Sequence, residues 1–324
     1  MIATRTPFRI SFIGGGSDIK EFYSKHVGSV VSTTIDKYIY LLVHPFFTDQ
    51  IQVKYSITEL VDKIEDISHP IVRAVLNGFD LNGIDINSIA DIPSGTGLGS
   101  SSSFTVGLLH ALYAFTNQKV TSELLARESC KIEIDLLQEP IGKQDQYAAA
   151  YGGLNYISFY PDESVSVEPI IMDPEKYRKL EENILMFYTG KRRKTSKILI
   201  DQKNQILTNQ SKKDSLIQMA ALARDLKNSL IEGDIDKMGL LLDKNWRLKK
   251  SLSNKISSSE IDEIYRIAQA NGAIGGKLLG AGGGGFLLFY CHKKDQDILR
   301  NSLKSLKELP FKFQSDGSSL IDIR

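Results

Sequence analysis

A glycine- and serine-rich segment, residues 93–103, carries the strongest chemical signal in this sequence. Gly95, Gly97 and Gly99 alternate just before a run of serines. Glycine lets backbone N–H groups approach an anion closely, because no Cβ intervenes. A helix that begins at the serines would point its unpaired N–H groups and its positive dipole end at the same place. The hydroxyls there could cap the helix or bind a magnesium ion that accompanies a nucleotide. The segment therefore predicts a cradle for phosphate groups.

Other interpretations of the glycines are weaker. A flexible Gly/Ser linker is disfavoured, because apolar residues from Phe104 to Phe115 follow at helical spacing without a gap. A Walker A loop is excluded, since no Gly-Lys-Ser/Thr occurs in the chain. A second cluster, residues 280–285, matches Gly-x-Gly-x-x-Gly but continues into a strand-like sequence instead of a helix, which argues against dinucleotide binding. That cluster is better interpreted as a loop packed closely on another backbone or on a phosphate.

The elements that must position these loops are of mixed type. Alternating or β-branched residues predict strands over 8–13, 29–43, 51–55, 154–159, 184–188 and 286–291. Apolar spacing predicts helices over 69–79, 100–117, 121–138, 212–231, 235–248 and from 259 to about 271. A polar, proline-containing stretch after residue 159 indicates one domain over residues 1–170 and another over residues 171–324. Because strands and helices do not alternate strictly, the predicted class is α+β in both halves.

Composition and charge exclude several classes of function. A net charge of +1 over 324 residues provides no field to attract nucleic acid or an anionic membrane, so neither is a predicted partner. No apolar run approaches the roughly 18 residues of a membrane span, and the N-terminus lacks the core of a signal peptide. The two cysteines are far apart and the five histidines lack metal-ligand spacing. The sequence therefore predicts a cytoplasmic protein without disulfides or zinc, and leaves a homodimer open.

Three motifs, in order along the chain, resemble those of the GHMP kinases, the superfamily of galactokinase, homoserine kinase, mevalonate kinase and phosphomevalonate kinase. They are Thr-Pro-Phe-Arg-Ile-Ser-Phe-Ile-Gly-Gly-Gly-Ser-Asp at 6–18, the 93–103 segment, and Lys-Leu-Leu-Gly-Ala-Gly-Gly-Gly-Gly-Phe at 277–286. The resemblance implies an N-terminal domain like a ribosomal-protein α+β fold and a ferredoxin-like C-terminal domain. It also implies Mg²⁺ and ATP as cofactors, with ATP held by Pro93, Gly95, Gly97, Leu98, Gly99, Ser100, Ser101 and Ser102.

Finer details are similar to one sugar-kinase branch, the D-glycero-D-manno-heptose 7-phosphate kinases. They are Phe-Ile-Gly-Gly-Gly-Ser-Asp at 12–18, the segment 139–153, and Tyr-Thr-Gly at 188–190 followed by Arg193. The resemblance implies ATP-dependent phosphorylation of the anomeric C1 hydroxyl of heptose 7-phosphate. The resulting 1,7-bisphosphate would lead to nucleotide-activated heptose and surface polysaccharide. Galactokinase itself is disfavoured, because residues 15–18 read Gly-Gly-Ser-Asp instead of Glu-His-x-Asp.

The same resemblance implies roles for individual residues. Asp145 is the expected base for the sugar hydroxyl, and Arg9 is expected near the attacking oxygen and the γ-phosphate. Ser101 and Glu133 are the expected Mg²⁺ ligands. Asp135 lies about 200° from Glu133 around a helix, so only one of these two carboxylates should face the site, and the sequence leaves open which one. Each role has a plainer alternative: a helix-start aspartate, a solvent-facing strand arginine and a solvated helix face.

Acceptor binding is expected at the first glycine motif and at the basic run 191–194. Asp18 resembles the hydroxyl-binding aspartate of sugar kinases, or else it is a helix N-cap. The basic run is either a solvated loop or a clamp for the substrate's phosphate. Lys143 is a candidate second cation or a surface lysine. The expected substrate-binding residues are Gly15, Gly16, Ser17, Asp18, Arg193, Gly282 and Gly283.

Two alternative functions remain at this level. One is a GHMP kinase for another sugar, such as a fucose- or galactose-like acceptor. The other is a catalytically silent protein of the same fold that senses sugar and nucleotide. Asp145, Ser101 and the intact glycine loop argue against a sensor, because a protein that only binds its ligands needs no base.

Overall fold

A computed structural model describes residues 1–191 and 196–322 and contains two β-sheets in that part of the chain. The strands in these residues are β1 Ile2–Ile13, β2 Gly28–Pro45, β3 Ile51–Lys54, β4 Thr58–Val61, β5 Ile84–Ala90, β6 Asn155–Phe159, β7 Val165–Pro169, β8 Ile184–Tyr188, β9 Ala273–Leu278, β10 Phe286–Cys291, β11 Lys307–Glu308, β12 Phe313–Gln314 and β13 Ser319–Ile321. The first sheet has the order β13-β1-β2-β5-β3-β4, with β6 and β12 also paired to β2, and β7 paired to β6. The second has the order β11-β8-β10-β9.

Helices cover these sheets. In the described residues they are α1 Lys20–Tyr23, α2 Pro70–Leu76, α3 Ser100–Phe115, α4 Ser122–Cys130, α5 Gln144–Tyr151, α6 Pro174–Glu182, α7 Ser196–Thr208, α8 Gln210–Glu232, α9 Lys237–Ser251, α10 Ser259–Ala270 and α11 Gln296–Ser302. A π-helix, Lys131–Leu136, continues α4, and 3₁₀ turns occupy Ile64–Asp66 and Lys293–Asp295. None of the helices described here is both long and apolar enough to cross a membrane.

Strand β1 explains how the fold positions polar side chains. It pairs antiparallel with β2 along most of its length, and α3 packs against both strands. Successive side chains of a strand point to opposite faces. The fully buried Phe8, Ile10 and Phe12 enter the hydrophobic core, whereas Arg9 and Ser11 on the other face line a cavity. A hydrophobic strand therefore carries polar residues into the interior at fixed spacing.

The observed elements agree with the α+β class and with most predicted strands and helices. The helix predicted over 121–138 changes from α to π geometry after Cys130. The sequence did not predict α7, nor that the chain returns after the second sheet, where β12 and β13 pair with β2 and β1 of the first sheet. The C-terminal strands thus complete the N-terminal sheet. The domain division at residues 170 and 171 stays a prediction.

Candidate active site

A cavity of about 440 Å³ lies where β1, α3, α5 and both glycine loops meet. Eleven of the predicted site residues line it, namely Arg9, Gly15, Gly16, Asp18, Gly95, Gly97, Gly99, Ser100, Ser101, Ser102 and Asp145. Five others contact neighbouring parts of the protein instead of the cavity, namely Pro93, Leu98, Ser17, Gly282 and Gly283. Residues from three distant parts of the sequence are thereby brought together.

The first glycine loop joins β5 to α3 and needs glycine for its backbone shape. Gly95, Gly97 and Gly99 have φ values of +77°, +87° and +78°, in the left-handed region that other residues rarely adopt. Gly99 is also the N-cap of α3, and no side chain caps this helix end. The serines of the first turn line the cavity, so the positive end of the α3 dipole faces it. This arrangement suits the binding of phosphate oxygens.

The second glycine loop packs directly on the first. A Cβ on Gly97 would lie 2.6 Å from the carbonyl oxygen of Leu279, and one on Gly280 would lie 2.7 Å from the Cα of Gly97. These approaches bear out the sequence-based interpretation of a loop packed closely on another backbone. Gly280 and Ala281 reach the cavity. Gly282 and Gly283, predicted at the substrate, instead contact the backbone of Ile256.

Arg9 and Asp145, which both line the cavity, form a two-point ion pair. The arginine Nε donates to Oδ1 at 2.8 Å, and Nη2 donates to Oδ2 at 2.6 Å. Nη1 donates to the carbonyl oxygen of Gly97 at 2.7 Å, which ties the pair to the first glycine loop. Arg9 is 4% exposed, so a solvent-facing strand arginine is excluded. The paired geometry fixes the carboxylate beside the first glycine loop.

Glu133 lies directly behind the serines of the first turn of α3, Ser100 to Ser102, which line the cavity. Ser101 donates to its Oε1 at 2.5 Å, and Gln146 donates to its Oε2 at 2.7 Å. Glu133 is fully buried, whereas Asp135 is exposed, so a solvated helix face for Glu133 is wrong. Burial raises the pKa of Glu133 to about 7, against the lowering effect of its hydrogen-bond donors. The hydroxyl and carboxylate oxygens together form a ligand set of the kind that Mg²⁺ prefers.

Asp18 is buried at the other end of the cavity. Its carboxylate accepts hydrogen bonds from the backbone N–H groups of Gly16 at 2.8 Å and Gln144 at 3.2 Å, and from the Gln144 side chain at 3.1 Å. It does not cap α1, because the N-cap there is Ile19. Burial raises the pKa of Asp18, and the two N–H donors oppose that rise. Ser17 instead holds the turn to β2 through Ser29.

Sequence reasoning missed two lysines of this cavity. Lys249 of α9 and Lys277 of β9 are 7% and 4% exposed and line the same end as Asp18. Lys277 belongs to the third quoted motif, yet nothing in its neighbours shows that its ammonium reaches β1. Lys249 sits in an ordinary helical pattern beside Lys250, so its sequence context gives no signal at all.

The other cations predicted from sequence are placed differently. Lys143 pairs with Glu163 at 2.5 Å and lies over the ring of Tyr23, outside the cavity lining. Lys191 pairs with Glu260. Arg193 lies outside the described residues.

An apolar wall completes the cavity near α3. His69 stacks on Phe104 with ring centroids 4.9 Å apart, and Ile39, Ile71 and Ile92 are part of the same lining. Burial lowers the pKa of His69, which favours the neutral ring. A planar, uncharged group fits such a wall. In the described residues, no cluster of three or more His, Cys, Asp or Glu side chains could hold a metal by itself.

Family models match both halves of the chain. The GHMP kinases N terminal domain matches residues 63–153, and the GHMP kinases C terminal domain matches residues 222–308. Together these stretches cover more than half of the sequence, and they include both the first glycine loop and the second.

Individual relatives agree with these family models. The chain is 31% identical to D-glycero-alpha-D-manno-heptose 7-phosphate kinase of Campylobacter jejuni, over 95% of this chain and 93% of the relative. It is 24% identical to a galactokinase of Pyrococcus furiosus, over 96% and 94%. A solved D-glycero-D-manno-heptose 1-phosphate kinase from Bacteroides thetaiotaomicron has the same fold, with a TM-score of 0.82 at 23% identity over 100% of both chains. The chain therefore belongs to the GHMP kinases and is an ATP-dependent sugar kinase of that family.

Proposed function

We propose that this kinase phosphorylates the anomeric C1 hydroxyl of D-glycero-D-manno-heptose 7-phosphate, and that the 1,7-bisphosphate feeds nucleotide-activated heptose into surface polysaccharide. The choice of acceptor is supported by the Campylobacter jejuni relative, which is named for that sugar phosphate and matches 95% of this chain. The observation that carries the chemistry is the two-point contact of Arg9 with Asp145 beside the glycine loop. The proposed place of action is the cytoplasm, where ATP is available.

Asp145 is the proposed base. Its carboxylate accepts the proton of the C1 hydroxyl while the anomeric oxygen bonds to the γ-phosphorus of ATP. The bond from that phosphorus to the bridging oxygen breaks, and its electron pair leaves with ADP. Arg9 keeps the carboxylate aligned through Nε and Nη2, and its charge stabilises the transferring oxygens. The Asp145 side chain is 22% exposed, which gives the proton a route to solvent.

Ser101 and Glu133 are the proposed holders of Mg²⁺. Their oxygens lie 2.5 Å apart directly behind the first turn of α3, so one ion could contact both. Bound with ATP, Mg²⁺ would neutralise charge on the phosphate oxygens. Gln146 keeps the Glu133 carboxylate in place through its second oxygen. The N–H groups of the glycine loop and of the α3 N-terminus are the proposed phosphate donors.

Asp18 is the proposed anchor for the sugar hydroxyls. Gly16 and Gln144 fix its carboxylate: Oδ1 accepts two hydrogen bonds, whereas Oδ2 accepts only one and so has further lone-pair capacity for a hydroxyl donor. Gly15 and Gly16 expose backbone at the same end of the cavity. Arg193 stays a proposed contact to the phosphate of the acceptor.

A second candidate acceptor is an unphosphorylated fucose- or galactose-like sugar. It is favoured by the galactokinase relative and by a 26% identical bifunctional fucokinase/GDP-fucose pyrophosphorylase of Arabidopsis thaliana, which matches 93% of this chain. Only 31% of that plant protein is covered, so the likeness concerns one part of it.

An acceptor panel tests the proposal. The purified chain is incubated with ATP, Mg²⁺ and heptose 7-phosphate, heptose, fucose or galactose, while ADP release and product mass are measured. We expect the fastest turnover with heptose 7-phosphate and a product carrying one added phosphate. Faster turnover of fucose or galactose would favour the second candidate. ATP binding without ADP release on any acceptor would indicate a sensor.

A further inference from the structure

The end of the cavity that contains Asp18, where the acceptor sugar is proposed to bind, is called the acceptor end. Two buried ammonium groups at this end have only neutral partners. Lys249 donates to the carbonyl oxygen of Gly15 at 3.1 Å and to the side-chain oxygen of Gln202 at 3.2 Å. Lys277 donates to the carbonyl oxygen of Ser11 at 2.7 Å. Within residues 1–191 and 196–322, neither lysine forms an ion pair with a carboxylate. By contrast, Arg9 in the same cavity is fully paired.

Such burial is costly unless a ligand compensates it. An ammonium removed from water without a counter-charge loses solvation that neutral hydrogen-bond acceptors restore only in part. Burial lowers the pKa of Lys277 to about 7, and the charges of Lys249 and Arg9 act in the same direction while Asp18 opposes them. Burial also lowers the pKa of Lys249 to about 8. A methionine would fill the same space without this cost, so packing does not explain either lysine.

The surroundings of the two lysines contain further unused donors. The hydroxyl of Ser11 and the side-chain Nε2 of Gln202 are buried and have no hydrogen-bond partner. A Cβ on Gly16 would lie 3.2 Å from the Lys249 ammonium and 2.6 Å from Gln202 Nε2, so the Gly16 backbone approaches both donors too closely for a side chain at this position. Ser11, Lys249 and Lys277 all line the cavity, and two cations with a free hydroxyl suit an anion with several oxygens.

The distance between the two lysines and the Arg9–Asp145 pair, where phosphoryl transfer is proposed, also suits a phosphorylated sugar. Ser11, whose carbonyl oxygen holds Lys277, follows Arg9 by two residues on β1. Two residues of a strand span about 7 Å. An acceptor whose reacting hydroxyl lies at Asp145 therefore has room to place a charged group of its own at the lysines.

We propose that Lys249 and Lys277, together with the Ser11 hydroxyl, bind the phosphate group that the acceptor sugar already carries. This inference rests on the proposed function and makes it more specific. It places two buried lysines of α9 and β9 at that phosphate, in addition to the contact proposed for Arg193. Binding would supply the counter-charge that both ammonium groups lack in the free protein.

Substitution of the lysines tests this assignment. Lys249→Met and Lys277→Met are compared with Lys244→Met, which replaces an exposed lysine of the same helix. We expect each buried variant to lose about 10- to 100-fold in kcat/KM for heptose 7-phosphate, the equivalent of a charge-assisted hydrogen bond, with little change for unphosphorylated heptose. Lys244→Met should match the wild type on both acceptors. Equal losses on both acceptors, a rise in the KM for ATP alone, or no loss would overturn the proposal.

A binding measurement separates this proposal from the acceptor assignment. With ADP and Mg²⁺ present to fill the nucleotide site, inorganic phosphate should raise the Tm of the wild type and of Lys244→Met, but not of Lys249→Met. The same Tm shift in all three proteins would overturn the lysine site. If the wild type fails to phosphorylate heptose 7-phosphate while the selective Tm shift is seen, the proposed acceptor is wrong and the anion site stands. The Tm without phosphate shows whether each variant is folded.

Discussion

The two ends of the cavity handle positive charge in opposite ways. At the transfer end, Arg9 is bound to Asp145 through two hydrogen bonds and to Gly97 through a third. At the acceptor end, Lys249 and Lys277 contact only carbonyl and amide oxygens. A paired charge keeps its geometry before any ligand arrives, whereas an unpaired buried charge is stabilised only when an anion binds.

The choice of side chain matches this difference. A guanidinium presents a rigid, planar fork that fits a carboxylate at two points, so it aligns Asp145 firmly. An ammonium is a compact charge on a flexible stem, and burial shifts its proton equilibrium readily. The protein alone organises the transfer end, whereas the site proposed at the acceptor end is completed by its ligand.

Asp145→Asn should have the largest effect, because it removes the proposed base and the counter-charge of Arg9 together. We expect kcat to fall by about 10²- to 10⁴-fold, the usual contribution of a positioned base. The KM for ATP should not rise, because the freed guanidinium becomes an unpaired cation like those at the acceptor end. Steady-state kinetics at saturating acceptor measure both quantities.

Asp135→Asn is the matched control, since that carboxylate is exposed on the π-helix behind the site. It should retain wild-type kcat. If Asp145→Asn keeps more than about a tenth of the wild-type kcat, Asp145 is not the base.

Glu133 should give the transfer end a pH dependence. Its pKa is raised to about 7, so the carboxyl gains a proton as the pH falls through 7 and can no longer serve as a metal ligand. We expect the KM for MgATP to rise by up to about tenfold for each pH unit below 7. Glu133→Gln should show a high KM for MgATP that changes little with pH, because the variant lacks the titrating carboxyl group. Because ATP itself also gains a proton in this pH range, the KM for MgATP of the wild type is compared with that of Glu133→Gln at each pH. Identical pH profiles of the two proteins would exclude Glu133 as the cause of the dependence.

The packing of the two glycine loops gives a smaller, structural prediction. Gly97→Ala forces a Cβ to within 2.6 Å of the Leu279 carbonyl oxygen, whereas a Cβ on Gly95 meets nothing within 4 Å. Both positions have positive φ, which alone costs about 1–2 kcal/mol for alanine. We therefore expect Gly97→Ala to lower the free energy of unfolding by clearly more than Gly95→Ala, measured by urea denaturation. Equal losses of unfolding free energy in the two variants would mean that the glycine loops adjust easily to an added Cβ. The transfer end would then be less rigid than its close packing indicates.

Much of this organisation could be predicted from the sequence. The glycine–serine loop, the helix that follows it and the strand that carries Arg9 are all local patterns, and the structure contains each of them. Helical geometry predicted that only one of Glu133 and Asp135 faces inward, the family resemblance favoured Glu133, and the structure buries Glu133. The two buried lysines could not be found in this way, because lysine in a helix or strand normally points to solvent.

The sequence by itself determined the family, the α+β class and the position of the first glycine loop, because glycine conformations, helix starts and apolar periods depend on neighbouring residues. Only the tertiary structure decided which charges meet. Arg9 and Asp145 are 136 residues apart, and Lys249 and Lys277 reach backbone oxygens 234 and 266 residues away. The energy of a charge depends on its burial and on its partners in space, and neither is encoded in the residues next to it.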